Sequence, residues 1–339
     1  MIPVRTSLDL VPTRLGLPLA AGASGSKLVR AGMRPLVAHA DWSKHAGKRW
    51  MAVAVPSGTG WDAMVELAGD LPTLLDRLRG RAGGAPVALG LDLPIGLPRA
   101  YAELHGRGAA DFPAFLRGLE GGSAFFQVCR TLEEVGPARP FFPYNALGRP
   151  RRDDHAARLG IAFKDFSRQC DGKTLHRPAA SVLFWTLGAN QVGKAALSAW
   201  EHLLLPALAG PAPPALWPFE GGLMELVASR GTVIAETYPA EAMRQLGVAM
   251  GGSKRRQADR KALAPDLQRL LRSMPAQADD ALARLIADGF GEADSGEDPF
   301  DALLGLLCML QVVQGRHPDT VPAGPHVLRW EGWVLGQAA

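Results

Sequence analysis

Acidic residues occupy corresponding places on three candidate strands. Asp41 closes the strand at 35–40, Asp92 follows the apolar run 85–91, and Glu236 lies near the end of the run 231–236. If these strands are parallel, as the helical segments between them suggest, the carboxylates meet at the sheet edge where open α/β sheets bind ligands. Because like charges repel, such a cluster needs a cation. Carboxylate oxygens favour Mg²⁺ or Mn²⁺ over zinc.

Two further acids lie at the start of the last apolar helix. Asp298 and Asp301 are spaced i, i+3 and therefore share one face of that helix. This pair is placed to complete a site formed by the strand-end acids.

Each acid also has a structural interpretation. Asp41 and Asp92 suit turns at strand ends, Asp298 before Pro299 suits a helix N-cap, and Asp301 suits the positive end of a helix dipole. Glu236 fits a structural role less easily, because an unpaired carboxylate within an apolar strand is very costly. The joint arrangement favours a functional site.

The elements that must position these acids follow from the hydrophobic pattern. Strands at 35–40 and 49–55 predict a hairpin, and 61–67 supplies a third strand. A helix is expected between an N-cap at Asp70 and a stop at Gly80. The run 85–91 lacks alternation, which indicates a strand buried on both faces. The last helix is expected from Asp298 to about Gln314, and 327–335 could add a short strand.

The order of these elements predicts an α/β fold. The core comprises 33–98 and 229–339, and 99–228, in which we predict no strand, is a mainly helical insertion between strands four and five. Residues 1–32 include a stretch rich in Ala, Gly and Ser at 20–26, and Met33 stands just before the first strand. We interpret 1–32 as a disordered tail or a mis-assigned start.

Several segments together resemble a known family. They are Asp41-Trp-Ser, Leu91-Asp92-Leu-Pro-Ile-Gly-Leu-Pro98, Glu236-Thr-Tyr-Pro-Ala240, Asp298-Pro-Phe-Asp301-Ala-Leu and Glu331-Gly-Trp-Val-Leu-Gly336. The sequence resembles domain-of-unknown-function family 429, whose members are regarded as predicted nucleases. The resemblance covers 35–98 and about 229–336, and the segment around Asp92 is its most specific part. It implies a ribonuclease-H-like, mixed five-stranded sheet flanked by helices.

The resemblance also implies a mechanism. In ribonuclease-H-like nucleases, strand-end carboxylates hold two divalent ions, Mg²⁺ or Mn²⁺, for in-line attack on a phosphodiester. Asp41 and Asp92 would be the central ligands, Glu236 and Asp301 would complete the catalytic set, and Asp298 would be a further ligand or a cap. The alternative is a non-catalytic nucleic-acid- or protein-binding module on the same fold.

Two basic clusters could hold a nucleic-acid backbone, although a solvated surface is the favoured interpretation of each. They comprise Lys254, Arg255, Arg256, Arg260 and Lys261 in the core, and Arg149, Arg151 and Arg152 in the insertion. Two other features have weaker functional interpretations. His39 could assist Asp41, and 188–194 has the glycine spacing of a phosphate loop but continues with Ala195 in place of Ser or Thr.

Composition limits the remaining possibilities. The chain has 339 residues, 37 basic against 33 acidic, so its net charge of +4 permits an anionic partner without demanding one. Three widely spaced cysteines argue against a disulfide framework or a zinc site and favour the cytoplasm. The longest apolar run, 302–313, is shorter than the ~20 residues of a membrane span, so we expect no membrane association.

Overall fold

The computed structural model describes residues 33–143, 151–174, 178–187, 192–292 and 294–338. Within these ranges seven strands form one mixed sheet. They are β1 Leu36–Asp41, β2 Trp50–Ser57, β3 Gly60–Leu67, β4 Val87–Leu91, β5 Ala215–Leu216, β6 Thr232–Glu236 and β7 Ala276–Ala278.

The strands lie in the order β5-β6-β4-β1-β2-β3-β7. The hairpin β1–β2 and the pair β2–β3 are antiparallel, whereas the pairs β1–β4, β4–β6, β5–β6 and β3–β7 are parallel. The carboxyl ends of β1, β4 and β6 therefore meet at one edge, as the positions of the acids predict.

Twelve α-helices accompany the sheet in the described ranges. They are α1 Leu74–Ala82, α2 Arg99–His105, α3 Phe112–Arg117, α4 Arg152–Arg158, α5 Val192–Ala199, α6 Leu205–Ala209, α7 Leu223–Arg230, α8 Pro239–Gln245, α9 Gln257–Ala262, α10 Ala264–Ser273, α11 Asp280–Asp288 and α12 Glu297–Val313.

The two faces of the sheet carry separate cores, because successive side chains of a strand point to opposite faces. Ala38, Ala40 and Leu91 face α1 and the aromatic residues of the insertion. Val37 and Ala88 face the other side, together with α12 and the helices around it. The sheet is thus covered on both sides, as its uninterrupted apolar strands require.

Helix α12 is the central helix of the second core. Its residues from Pro299 to Leu310 are all buried, and it lies against β1 and β2. A helix that is apolar on every side is one that other elements surround. Gly305 lets the helix approach β1 closely, since a Cβ there would lie 2.2 Å from the imidazole of His39.

The structure confirms the α/β class, the hairpin and the parallel strands, and it corrects three expectations. The sheet has seven strands in the described ranges rather than five, and the insertion, predicted to lack strands, contributes β5. Residues Val327–Glu331 form a turn of π-helix. In that C-terminal segment, Val334 makes a single parallel bridge to Glu236 instead of extending a strand.

The segment 1–32 lies outside the described residues. No helix within the described ranges combines the length and apolar composition needed to cross a membrane.

Candidate functional site

Three of the predicted acids come together beyond the carboxyl ends of β1 and β4. The carboxyls of Asp41 and Asp92 are close enough to affect each other's ionisation, and Asp301 of α12 is close enough to affect the ionisation of both. Asp41 and Asp92 are partly buried, and the side chain of Asp301 is fully buried. These three residues form what we call the acid cluster.

Strand register and helix packing position the acid cluster. Ala40 pairs with Leu91 in the parallel register, so Asp41 and Asp92 follow at the same level and on the same face. His39, on that face of β1, lies with Nδ1 3.1 Å from the carbonyl oxygen of Ala302. Because a carbonyl only accepts, Nδ1 carries the proton and donates it. This bond joins β1 to α12 next to Asp301.

His39 is therefore a positioning residue. Burial, opposed by the hydrogen bond to Ala302, lowers its pKa to about 4, so the ring is neutral at physiological pH. Its contacts are with α12 and β4, because an added Cβ at either Gly305 or Gly90 would meet the ring. The sequence suggested an auxiliary role beside Asp41, and the geometry supports positioning through α12.

Burial and mutual repulsion raise the pKa values of the three carboxyls in the acid cluster. Burial, followed by the charges of Asp92 and Asp301, raises the pKa of Asp41 well above its ordinary value. Burial, followed by the charge of Asp301, raises the pKa of Asp92 to about 7. Burial also raises the pKa of Asp301 to about 6, although Lys254 acts in the opposite direction. The cluster therefore retains protons near neutral pH unless a cation replaces them.

One oxygen of Asp301 has a cationic partner and the other has none. Lys254 Nζ donates to Asp301 Oδ2 and lies 3.2 Å from Glu297 Oε1. Burial lowers the pKa of Lys254, but its contacts with the two acids outweigh burial and raise it. Asp301 Oδ1 is buried with no hydrogen-bond partner among the described residues. An unsatisfied buried carboxylate oxygen next to two other carboxyls fits an oxygen-ligated divalent cation.

Asp298 lies at the margin of the acid cluster. Helix α12 begins at Glu297 after an N-cap at Gly296, so Asp298 does not cap the helix as its sequence suggested. Burial raises its pKa, whereas the neighbouring Lys48 and Lys254 act in the opposite direction.

Glu236 has a different environment, because it contacts an arginine of the insertion. Arg168 Nη1 and Nη2 lie 2.6 Å from Glu236 Oε2 and Oε1 respectively. The same guanidinium bonds both oxygens of Asp171, and the backbone N–H of Ile95 donates to Glu236 Oε2 at 2.7 Å. Burial raises the pKa of Glu236, and the guanidinium opposes it. Both Glu236 oxygens are thus engaged by protein donors.

Strand register explains why Glu236 is separated from the acid cluster. Glu236 pairs with Leu91, not with Asp92, in the β4–β6 ladder. It therefore lies one residue short of the level of Asp41 and Asp92 and points to the opposite face. That face is covered by the insertion, which supplies Arg168. Glu236 is still near enough to raise the pKa of Asp92 through its charge.

A cleft of 840 Å³ opens over the acid cluster. Asp92 lies in its wall, together with parts of the β1–β2 loop, the N-cap and first residues of α8, the region around Lys254 and, from the insertion, 180–181 and the start of α5. Most of its charged side chains are cationic, namely Lys44, Lys48, Lys194, Lys254 and Arg255. The cleft therefore has a basic rim, with Asp92 of the acid cluster and Glu297 as its acidic lining residues, and one wall belongs to the insertion.

The first predicted basic cluster is divided by the structure. Lys254 and Arg255 line the cleft, and Lys261 is exposed. Arg256 pairs with Asp259. Arg260 is fully buried and donates to the carbonyls of Lys254, Gly289 and Gly291, so it holds the loop before α12 and cannot contact a surface ligand.

The described members of the second predicted basic cluster, Arg151 and Arg152, are not part of the cleft lining. Arg151 is exposed beside Asp154, and Arg152 lies over the rings of Trp185 and Phe163. Arg149 and most of the phosphate-loop-like segment, 188–191, lie outside the described residues. Gly193 packs closely on the carbonyl oxygen of Leu183.

Sequence reasoning missed three contributors to the site. Arg168 acts on a carboxylate 68 positions away in the chain. Lys44 and Lys194 line the same cleft because the insertion reaches the sheet edge. A buried arginine has no local sequence signature, although Glu236 in an apolar strand signalled that some cationic partner was needed.

Comparisons of the chain with known proteins found no similar protein. No protein-family model matches the chain, and neither a curated protein nor a solved structure matches it.

Proposed function

We propose that this protein is a divalent-metal-dependent nuclease or phosphodiesterase. The observation that carries the proposal is the buried Oδ1 of Asp301, which has no hydrogen-bond partner among the described residues, close to the carboxyls of Asp41 and Asp92. Such a group of weak acids is costly without a cation and is suited to Mg²⁺ or Mn²⁺. The resemblance to predicted nucleases of ribonuclease-H-like fold agrees with the parallel strands that carry Asp41 and Asp92.

Asp41, Asp92 and Asp301 would hold the metal, and Asp298 is placed to reach it from the margin. When bound, divalent cations supply an activated water and stabilise the leaving oxygen of a phosphodiester. Glu236 acts as a positioning residue, since its contacts with Arg168 and Ile95 fix the backbone that follows Asp92. Lys254 orients the carboxylate of Asp301, and the basic rim attracts the anionic substrate.

A second candidate function is a non-catalytic binding module on the same fold. Lys254 already pairs with one oxygen of Asp301, and the raised pKa values of Asp41 and Asp92 allow these carboxyls to hold protons in place of a metal ion. Such a module would bind nucleic acid through the basic rim without cleaving it.

Cleavage of labelled single-stranded and duplex DNA and RNA with Mn²⁺, compared with EDTA, tests the proposal. Asp92→Asn should reduce the rate by more than about 100-fold, because it removes a charged ligand from the site. The exposed Asp62→Asn is the matched control and should cleave like the wild type. Crystals soaked in Mn²⁺ should show anomalous density between Asp41, Asp92 and Asp301.

Two results would contradict the proposal. Full Mn²⁺-dependent cleavage by Asp92→Asn would exclude the acid cluster as the catalytic centre. No tight Mg²⁺ or Mn²⁺ binding in a titration, together with salt-sensitive nucleic-acid binding and no cleavage, would establish the binding module instead.

A further inference from the structure

Two lysines face the cleft from separate parts of the chain. Lys44 belongs to the loop between β1 and β2, and Lys194 lies in the first turn of α5 in the insertion. Neither forms an ion pair with any residue that the structure describes, in contrast to Lys254 and Arg255, which both contact Glu297. The charges of Lys44 and Lys194 are therefore available to a ligand.

Both ammonium groups belong to the lining of one cleft, so their like charges act on each other. Burial, and then the charge of Lys44, lowers the pKa of Lys194. Two like charges placed together without a counter-ion are unfavourable, and an anion that contacts both removes the repulsion. Lysine ammoniums bind phosphate oxygens well as point charges. The arrangement therefore suits a phosphate group.

The shape of the cleft limits what carries that phosphate. One wall is the sheet edge, with Trp42 and Tyr238, and the other is the insertion, with Ser181 and Ala195. A volume of 840 Å³ is in the range of pockets that enclose small ligands, about 300–1,000 Å³. Duplexes instead bind across open surfaces of roughly 1,000–2,500 Å². The cleft therefore has the size of a pocket that holds a few nucleotides, which favours a single strand over a duplex.

We propose that Lys44 and Lys194 bind one backbone phosphate of a single nucleic-acid strand, which the insertion thereby holds over the acid cluster. This inference rests on the proposed function, of which it specifies the substrate class. Lys194 is the insertion's contribution to binding, and Lys44 is that of the core. Neither residue contacts the reacting atoms in this assignment, so their role is substrate binding.

The test measures binding without cleavage. Fluorescence anisotropy of a short fluorescein-labelled oligothymidylate, in EDTA and over a range of NaCl concentrations, is compared for wild type, Lys44→Gln and Lys194→Gln. Each substitution should weaken binding about tenfold, as expected for one charged contact. Each should also lower the slope of log affinity against log salt by about 0.7. Lys164→Gln, an exposed lysine of the insertion outside the cleft, is the matched control and should bind like the wild type.

The outcomes separate this inference from the proposed function. Wild-type affinity in both variants, an equal loss in Lys164→Gln, or no binding by the wild type overturns the inference, whatever the cleavage assay shows. Equally tight binding of a duplex of the same length overturns the single-strand assignment. Asp92→Asn should still bind the oligonucleotide in EDTA, so a failure of cleavage does not affect this test. Thermal unfolding of each variant confirms that it is folded.

Discussion

In the proposed site, the carboxylate of Asp301 contacts two cations. One is the ammonium of Lys254, and the other is the divalent metal ion. Asp301 Oδ2 accepts from Lys254, and Oδ1 has no partner among the described residues. Because the ammonium stabilises the ionised carboxylate, the acid cluster can exist without metal. The same contact competes with a divalent ion for the charge of Asp301.

Substituting Lys254 tests this competition. Lys254→Gln should bind Mn²⁺ roughly tenfold more tightly at slightly alkaline pH, because a charged hydrogen bond to the ligand is lost. Isothermal titration calorimetry measures the change. Arg255→Gln is the control, since Arg255 is exposed and contacts the same Glu297 but not Asp301. Weaker Mn²⁺ binding by Lys254→Gln than by Arg255→Gln would show that Lys254 supports the metal site and does not oppose it.

At the scale of elements, Arg168 attaches the insertion to the end of β6. Its guanidinium bonds Glu236, Asp171 and the carbonyl oxygen of Glu331. Glu331 in turn accepts from the backbone N–H groups of Arg99 and Gln169. The insertion wall of the cleft is therefore joined to the sheet through buried, charged hydrogen bonds.

Removing this attachment should be strongly destabilising. Arg168→Gln leaves Glu236 buried without a cation, a change that costs about 3–5 kcal/mol in comparable pairs. The bidentate pair Arg81–Glu66 is partly exposed, so Arg81→Gln should cost less than about 1 kcal/mol. Urea unfolding of the two variants measures both values. Similar losses in the two variants would mean that burial does not distinguish these pairs.

The pattern of apolar runs predicted the elements that carry the acids. Strands β1 to β4, β6 and helix α12 are long and apolar enough to be recognised, whereas β5 and β7 have too few residues to show a period. The helix α1 starts at Leu74, after Thr73, not directly after Asp70. Capping signals are ambiguous where several candidate residues lie close together.

The composition of the acid cluster was predictable only in part. Sequence position places Asp41, Asp92 and Glu236 at strand ends, but which face each occupies depends on the register between strands. A shift of one residue turns Glu236 away from the other two. Lys254 and Arg168 act on acids far away in sequence, and nothing in their neighbourhood specifies those partners.

At the scale of the whole molecule, the acid cluster couples folding to pH. The pKa of Asp92 is about 7 in the folded chain against 3.8 ordinarily, and that of Asp301 is about 6. Between the ordinary and the folded values, the folded chain holds protons that the unfolded chain has released. The free energy of unfolding contributed by these groups therefore falls as pH rises through this window.

Thermal unfolding in EDTA at several pH values between about 4 and 8 tests this coupling. The unfolding temperature of the wild type should fall relative to that of Asp92→Asn as pH rises, because the amide cannot ionise. Mn²⁺ should raise the wild-type unfolding temperature more at about pH 8 than at about pH 5, since protons compete with the metal. Parallel curves for wild type and variant would contradict the assignment of raised pKa values to the cluster.

The wide spacing of the acid cluster along the chain has a consequence for biosynthesis. A polypeptide leaves the ribosome from its N-terminus, so Asp41 and Asp92 emerge long before Asp301 and the rest of α12. The insertion with Arg168 also emerges before its partner Glu236. Until α12 is made, one face of β1 and β2 lacks its cover, and the three carboxylates cannot be assembled. A growing chain that still lacks α12 is therefore unable to form the proposed metal site, and the activity that depends on it arises only after α12 has been made.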